Sequence, residues 1–144
     1  MNPTSLHPAA VADTHDSAGL PVAGLLLDAL AHRDFAAMAS CLDPDVRFRA
    51  LVPRGPLGAT GAAETMGYFQ RWFGGDDDFE VVDASIGQVR SRLYLRWRVQ
   101  MQSATDPSLA RIAEQHVFAS AGERIKSFVL LCSGFQADQK GARP

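Results

Sequence analysis

The chain has 144 residues, 47% hydrophobic and 21% charged, with a formal net charge of -2. That balance suits one soluble domain with an adequate core and excludes a fibrous or wholly disordered chain. Dispersed arginines and a nearly neutral total give no general attraction for phosphate backbones or anionic lipid, so neither nucleic acid nor a membrane is expected as a partner.

Residues 1–20 mix Pro, Ser, Thr, His and Asp without helical or alternating order and read as a flexible tail. They hold His7 and His15. Asp13, His15 and Asp16 lack the spacing of a metal cage, and the expectation is no metal and no cofactor. No basic segment precedes a long apolar run, and the longest uncharged apolar stretch, Leu20 to Leu27, is far shorter than a bilayer span, which makes the cytoplasm the default location. Cys41 and Cys132 both stand in apolar settings and read as free thiols in a reducing compartment.

The domain proper is expected over residues 21–135. Pro21 in a first turn, followed by Val22, Leu25, Leu26, Ala29 and Leu30 at three- and four-residue spacing, predicts a first helix. Asp34 can cap a short second helix with Phe35, Met38, Ala39 and Leu42 on one face, stopped by Pro44. Asp45 to Val52 alternates Val46, Phe48 and Ala50 against Arg47 and Arg49, the period of a half-buried strand. Pro53 to Gly61, with two prolines and three glycines, reads as a loop long enough to form part of a pocket rim or a lid.

A third helix is expected from Ala62 to Phe73, with Glu64 favourably placed in its first turn and Met66, Phe69 and Phe73 on one face, widened by Tyr68 and Trp72. Gly74 and Gly75 end it, and Asp76 to Asp78 form a solvated turn rather than a metal site, because sequential carboxylates diverge. Strands are expected at Phe79–Ile86, Arg92–Gln102, Arg111–Ser120 and Ile125–Phe135. Residues 136–144 read as a second flexible tail. In Arg92–Gln102 one face carries Leu93, Leu95, Trp97, Val99 and Met101, and the other Arg92, Tyr94, Arg96, Arg98 and Gln100. The second face is either a solvent-facing ladder or, through Tyr94, Arg96 and Arg98, an interface. Helices first and strands afterwards give an α+β class in which a curved sheet wraps the long helix.

Polar candidates inside strands are few. Glu114 and His116, two residues apart, share a face with Ile112 and Phe118 and make either an acid/base pair or an outward cross-strand pair with Arg96 or Arg98. Cys132, among Leu130, Leu131 and Phe135, reads as pocket wall in preference to nucleophile. No catalytic triad or phosphate-binding glycine loop is present in the sequence.

Asp34-Phe35 with Leu42-Asp43-Pro44-Asp45-Val46-Arg47-Phe48, then Gly61, Glu64 and the Phe69 to Phe73 aromatics, resembles the nuclear-transport-factor-2-like (NTF2-like) superfamily. Arg92-Leu93-Tyr94-Leu95-Arg96-Trp97 and Gly122-Glu123-Arg124-Ile125 are similar to its central and final strands, especially in the SnoaL-like, polyketide-cyclase-type branch. The resemblance spans roughly residues 22 to 135. It implies an NTF2-like cone: a strongly bent antiparallel sheet wrapped around a long helix with two further N-terminal helices, an apolar cavity inside, and a homodimer through the sheet. Enzymes of that shape place one or two carboxylates in the cavity, where dryness raises a carboxyl pKa toward neutrality. Here the final strand reads Phe128-Val129-Leu130-Leu131-Cys132, without a carboxylate. Where an epoxide hydrolase would pair an Arg with an Asp two residues on, this chain has Arg98 and Gln100.

Three functional readings follow. The first is a protein that binds a small apolar or aromatic molecule in a pocket of Phe69, Trp72, Trp97, Phe128, Leu130 and Cys132, without an intact catalytic carboxylate. The second is an isomerase, cyclase or dehydratase acting on a small hydrophobic substrate of polyketide or steroid type, with His116 and Glu114, or Asp45, as acid and base. The third is a non-catalytic oligomerisation module that uses the sheet face of Tyr94, Arg96 and Arg98.

Overall fold

The computed structural model describes residues 19–138, and among these three α-helices lie against one face of a strongly bent, unclosed sheet. The segments assigned to the extreme termini, with Asp13, His15 and Asp16, lie outside the described residues.

Helix α1 (Leu20–Ala31) begins with Pro21 in its first turn and buries Val22, Ala23, Leu26, Ala29 and Leu30, the stripe expected from the spacing. Asp34 caps α2 (Phe35–Ser40), its carboxylate accepting from the Ala37 backbone N–H at 3.0 Å. In α3 (Ala62–Phe73) the Glu64 carboxylate accepts from the Thr60 backbone N–H at 3.1 Å, tying the helix start to the preceding strand. Met66, Phe69 and Phe73 of α3 face the core.

The seven strands are β1 (Leu42–Val52), β2 (Gly55–Thr60), β3 (Asp78–Val89), β4 (Arg92–Gln102), β5 (Arg111–Ala121), β6 (Ile125–Cys132) and β7 (Gln136–Ala137). Their order is β2-β1-β6-β5-β4-β3, with β7 added to β5. All pairings are antiparallel except β1 with β6, which run parallel. The concave face carries Val46, Phe48, Leu95, Trp97, Val117 and Phe128, all buried, against the helices.

Four expectations need correction. The second helix ends at Ser40, so Leu42 and Pro44 belong to β1 and not to the helix face and its stop. Pro53 to Gly61 is not a loop: only Pro53 and Arg54 turn, and Gly55–Thr60 pairs with β1 from Val52↔Gly55 to Arg47↔Thr60. Because β2 is an edge strand, Pro56 breaks no ladder there, and its prolines and glycines masked the pairing. The last strand ends at Cys132, not Phe135, because Gly134 takes a positive φ of 75°. The chain then returns as β7, so Gln136 and Ala137 belong to the sheet and not to a frayed tail. A side chain at Gly134 is also barred by Pro53, whose Cγ would lie 2.6 Å from its Cβ. That contact brings the β1–β2 turn against the exit of β6, and both border the site described next.

Candidate functional site

Cross-strand register sets Trp97 opposite Gln115, and Gln115 opposite Cys132, so three inward side chains form a row across β4, β5 and β6. Trp97 and Gln115 are fully buried. The Trp97 indole N–H donates to Gln115 Oε1 at 2.8 Å, and Gln115 Nε2 donates to Cys132 Sγ at 3.3 Å. An indole nitrogen only donates, so the Gln115 oxygen must face Trp97 and its NH2 must face Cys132. Cys132 Sγ receives a second N–H, from the Gly134 backbone at 3.3 Å.

Beside this row lies a cavity of about 520 Å³ at the open end of the cone. Trp72, Phe73 and Phe135 supply its aromatic wall, while Ala113, Cys132 and Gly134 leave room by being small. Val52, Pro53 and Arg54 form the rim on the β1–β2 turn, and Gln115 is the polar group in the wall. The volume lies within the range of small-molecule sites, and the mix of aromatic wall with few polar groups is typical of them. No Asp, Glu or His is among the lining residues.

Of the pocket residues expected from the sequence, Trp72 and Cys132 line the cavity, whereas Phe69, Trp97, Phe128 and Leu130 do not. Those four are fully buried core. Phe69 packs on Phe128 with ring centroids 5.9 Å apart, and Phe48 reaches both, at 6.2 and 5.6 Å. Interlocked rings therefore fill the space around Phe48, Phe69 and Phe128, and the cavity lies beside them, toward Trp72, Phe73 and Phe135.

Glu114 and His116 occupy the outer face of the sheet and do not reach the cavity. His116 Nε2 donates to Glu114 Oε2 at 2.7 Å, since a carboxylate only accepts, and His116 Nδ1 lies 2.8 Å from the Tyr94 hydroxyl. Arg98 donates to Glu114 Oε1 through Nε and Nη2 at 2.9 and 2.7 Å. The His116 and Arg98 hydrogen bonds hold the Glu114 carboxyl below its ordinary range. Arg96 donates to Asp83 Oδ2 at 2.8 Å, and that bond likewise lowers the Asp83 carboxyl. Both nitrogens of His116 are thus engaged, and the cross-strand polar pair with Arg98 is the arrangement observed. Asp45 is exposed near the start of β1 and is not part of the cavity wall.

Tyr94, Arg96 and Arg98 line the same outer face, beside a strip of exposed apolar residues. Phe118, Val129, Leu131 and Leu51 are between 44% and 53% exposed and neighbour one another in register. Two more open depressions also lie on the exterior, one between α1, α2 and the β5–β6 turn, one over Arg49, Leu51 and Leu131. The cysteines are both free; Cys41 is buried, which pushes its thiol up, and Cys132 is half-buried.

Sequence reasoning missed Gln115 and Ala113, whereas the segment expected at a rim, Pro53 to Gly61, does contribute Pro53 and Arg54. The signal for Gln115 lay in the alternation of β5: if Glu114 and His116 face outward, Ala113, Gln115, Val117 and Ala119 must face inward, and Gln115 is the polar member of that set.

The SnoaL-like domain model matches residues 24–128. No curated protein matches the sequence. Among solved structures, the chain is similar to an LEH-like epoxide hydrolase of M. tuberculosis at 17% identity, with a TM-score of 0.62, covering 82% of this chain and 84% of the other. It is similar to a proposed polyketide cyclase of Xanthomonas campestris pv. campestris at 15% identity, with a TM-score of 0.65, covering 81% and 91%. A proposed ketosteroid isomerase of Kribbella flavida is similar at 15% identity, with a TM-score of 0.58, covering 81% and 78%. At such identities the likeness carries the NTF2-like cone fold and not an activity. Among the described residues, no helix is long and apolar enough to cross a membrane.

Proposed function

This chain belongs to the SnoaL-like domain family, and from that premise we propose that it binds a small aromatic molecule in the mouth cavity without acting on it through a carboxylate. The observation that carries this reading is the lining itself: aromatic walls, small residues that leave space, one buried amide, and no carboxylate or imidazole. The isomerase, cyclase or dehydratase reading requires an acid/base group that reaches a bound molecule, and His116, Glu114 and Asp45 all lie elsewhere. Two free cysteines favour a reducing compartment, and a cytoplasmic location is part of the same proposal.

Ala113→Leu tests it. Ala113 is buried and lines the cavity, so a leucine there projects into the free space. Affinity for an aromatic probe such as naphthoate, measured by fluorescence titration, is expected to fall at least about tenfold, with an unchanged circular dichroism spectrum. Equal affinity in the folded variant would place the probe outside the cavity and count against the reading.

The exposed strip of Phe118, Val129, Leu131 and Leu51 supports a second element, a homodimer formed through the outer sheet face with Tyr94, Arg96 and Arg98 at its border. Light scattering is expected to give a dimer mass for the wild type and a monomer mass for Phe118→Lys. The same mass for both proteins would remove this face from the interface.

A further inference from the structure

The polar side chains around the cavity have one property in common: what they still offer is hydrogen-bond donors. Gln115 has given its oxygen to Trp97, and one of its two Nε2 protons points to Cys132. Its second Nε2 proton has no acceptor among the described residues, although the side chain is fully buried. A buried donor left unpaired costs free energy unless a bound group satisfies it, and here the cavity is what lies beside it. The Trp72 indole N–H likewise has no acceptor among the described residues, and Arg54 at the rim has no ion-pair partner there. The sulfur of Cys132 already receives two N–H groups, so it has little accepting capacity left. Among the described residues that line the cavity, Arg54 is the one formally charged side chain, and it gives the rim a positive charge.

We propose that the molecule taken into this cavity is a planar aromatic anion whose oxygens only accept hydrogen bonds, of the carboxylate class, with an oxygen satisfying the free Gln115 N–H or the Arg54 guanidinium and the ring between Trp72 and Phe135. The inference rests on the binding reading above and narrows it. Donor–donor opposition makes a cationic amine of the same shape a poor fit: its N–H groups meet Gln115 N–H and the Arg54 charge, and no side-chain acceptor is left to receive them. A neutral aromatic ketone satisfies a donor but gains nothing from Arg54. The predicted order of affinity is therefore carboxylate, then ketone, then amine.

The test uses three probes on one ring system with the full chain: naphthoate, acetylnaphthalene and naphthylmethylammonium. Naphthoate is expected to bind at least about tenfold more tightly than the amine, with the ketone between them. Arg54→Gln, at an exposed rim position, is expected to bring naphthoate down to the ketone. Gln115→Glu keeps an oxygen for the Trp97 indole and places an acceptor in the wall, and it is expected to move the amine ahead of naphthoate. If the three probes bind the wild type equally, or the amine binds best, the anion inference is overturned and the binding reading stands. If none of them binds, both fall. Should Gln115→Glu not fold, the wild-type order and Arg54→Gln still decide, since unchanged naphthoate affinity in Arg54→Gln overturns the part assigned to Arg54.

Discussion

Trp97→Ala is expected to destabilise the protein by about 3 to 5 kcal/mol, a large share of the total stability of a domain this size. Trp97 is fully buried, its neighbours in the concave face are fully buried, and it does not border the cavity. Truncation removes the whole indole from a close-packed layer that has little freedom to collapse, because Phe69 and Phe128 are already locked against each other. It also leaves Gln115 Oε1 without its donor inside the protein. Urea denaturation followed by circular dichroism measures the loss. A change below about 1.5 kcal/mol would be too small for a core position, and would mean that the indole borders open space after all.

The Trp97–Gln115 hydrogen bond should emerge as a coupled pair. Trp97→Phe strands the amide oxygen and Gln115→Leu strands the indole N–H, each at a cost of about 1 to 3 kcal/mol for the unsatisfied group. The double variant loses both polar partners together, so its cost is expected to be smaller than the sum by at least about 1 kcal/mol. Ring shrinkage in Trp97→Phe contributes equally to the single and the double variant and cancels in the cycle. Additivity within about 0.5 kcal/mol would show that the bond does not hold the amide. The hydrogen bond that sets which end of the Gln115 amide meets Trp97 would then be lost as the basis for assigning its Nε2 to the cavity wall.

The fold was legible because its periods are strong. Strand β4 alternates five apolar with six polar or aromatic positions along Arg92–Gln102, and its burial follows that alternation. Helix α3 runs over Ala62–Phe73, as its caps and spacing predict. Strand β2 was illegible for a local reason: Pro56, Gly55 and Gly58 look like loop chemistry, and only the edge position makes them tolerable.

The site was only partly legible, and the reason lies in what periodicity measures. Alternation tells which residues face inward, but not whether the space between facing layers is filled. Phe69, Trp97, Phe128 and Leu130 all point inward as expected, yet ring-on-ring packing with Phe48 consumes the room they were expected to line. Conversely the cavity depends on what is missing at Ala113, Cys132 and Gly134, and small residues leave little trace in a hydrophobic pattern. Glu114 and His116 were correctly placed on one face. Sharing that face with Ile112 and Phe118 left its direction open between inward and outward; Phe118 is 50% exposed, and pairing with Tyr94 and Arg98 sets the group on the outer side.

Whether the mouth cavity receives a ligand is tested most directly by following the Gln115 side-chain amide in nuclear magnetic resonance spectra of the isotopically labelled full chain during titration with naphthoate. A saturable shift of that resonance is predicted, together with shifts of the Gly134 backbone amide and the Trp72 indole N–H and none at Tyr94 or His116. Saturable shifts confined to the outer sheet face, or no saturable shift at Gln115, would contradict the account.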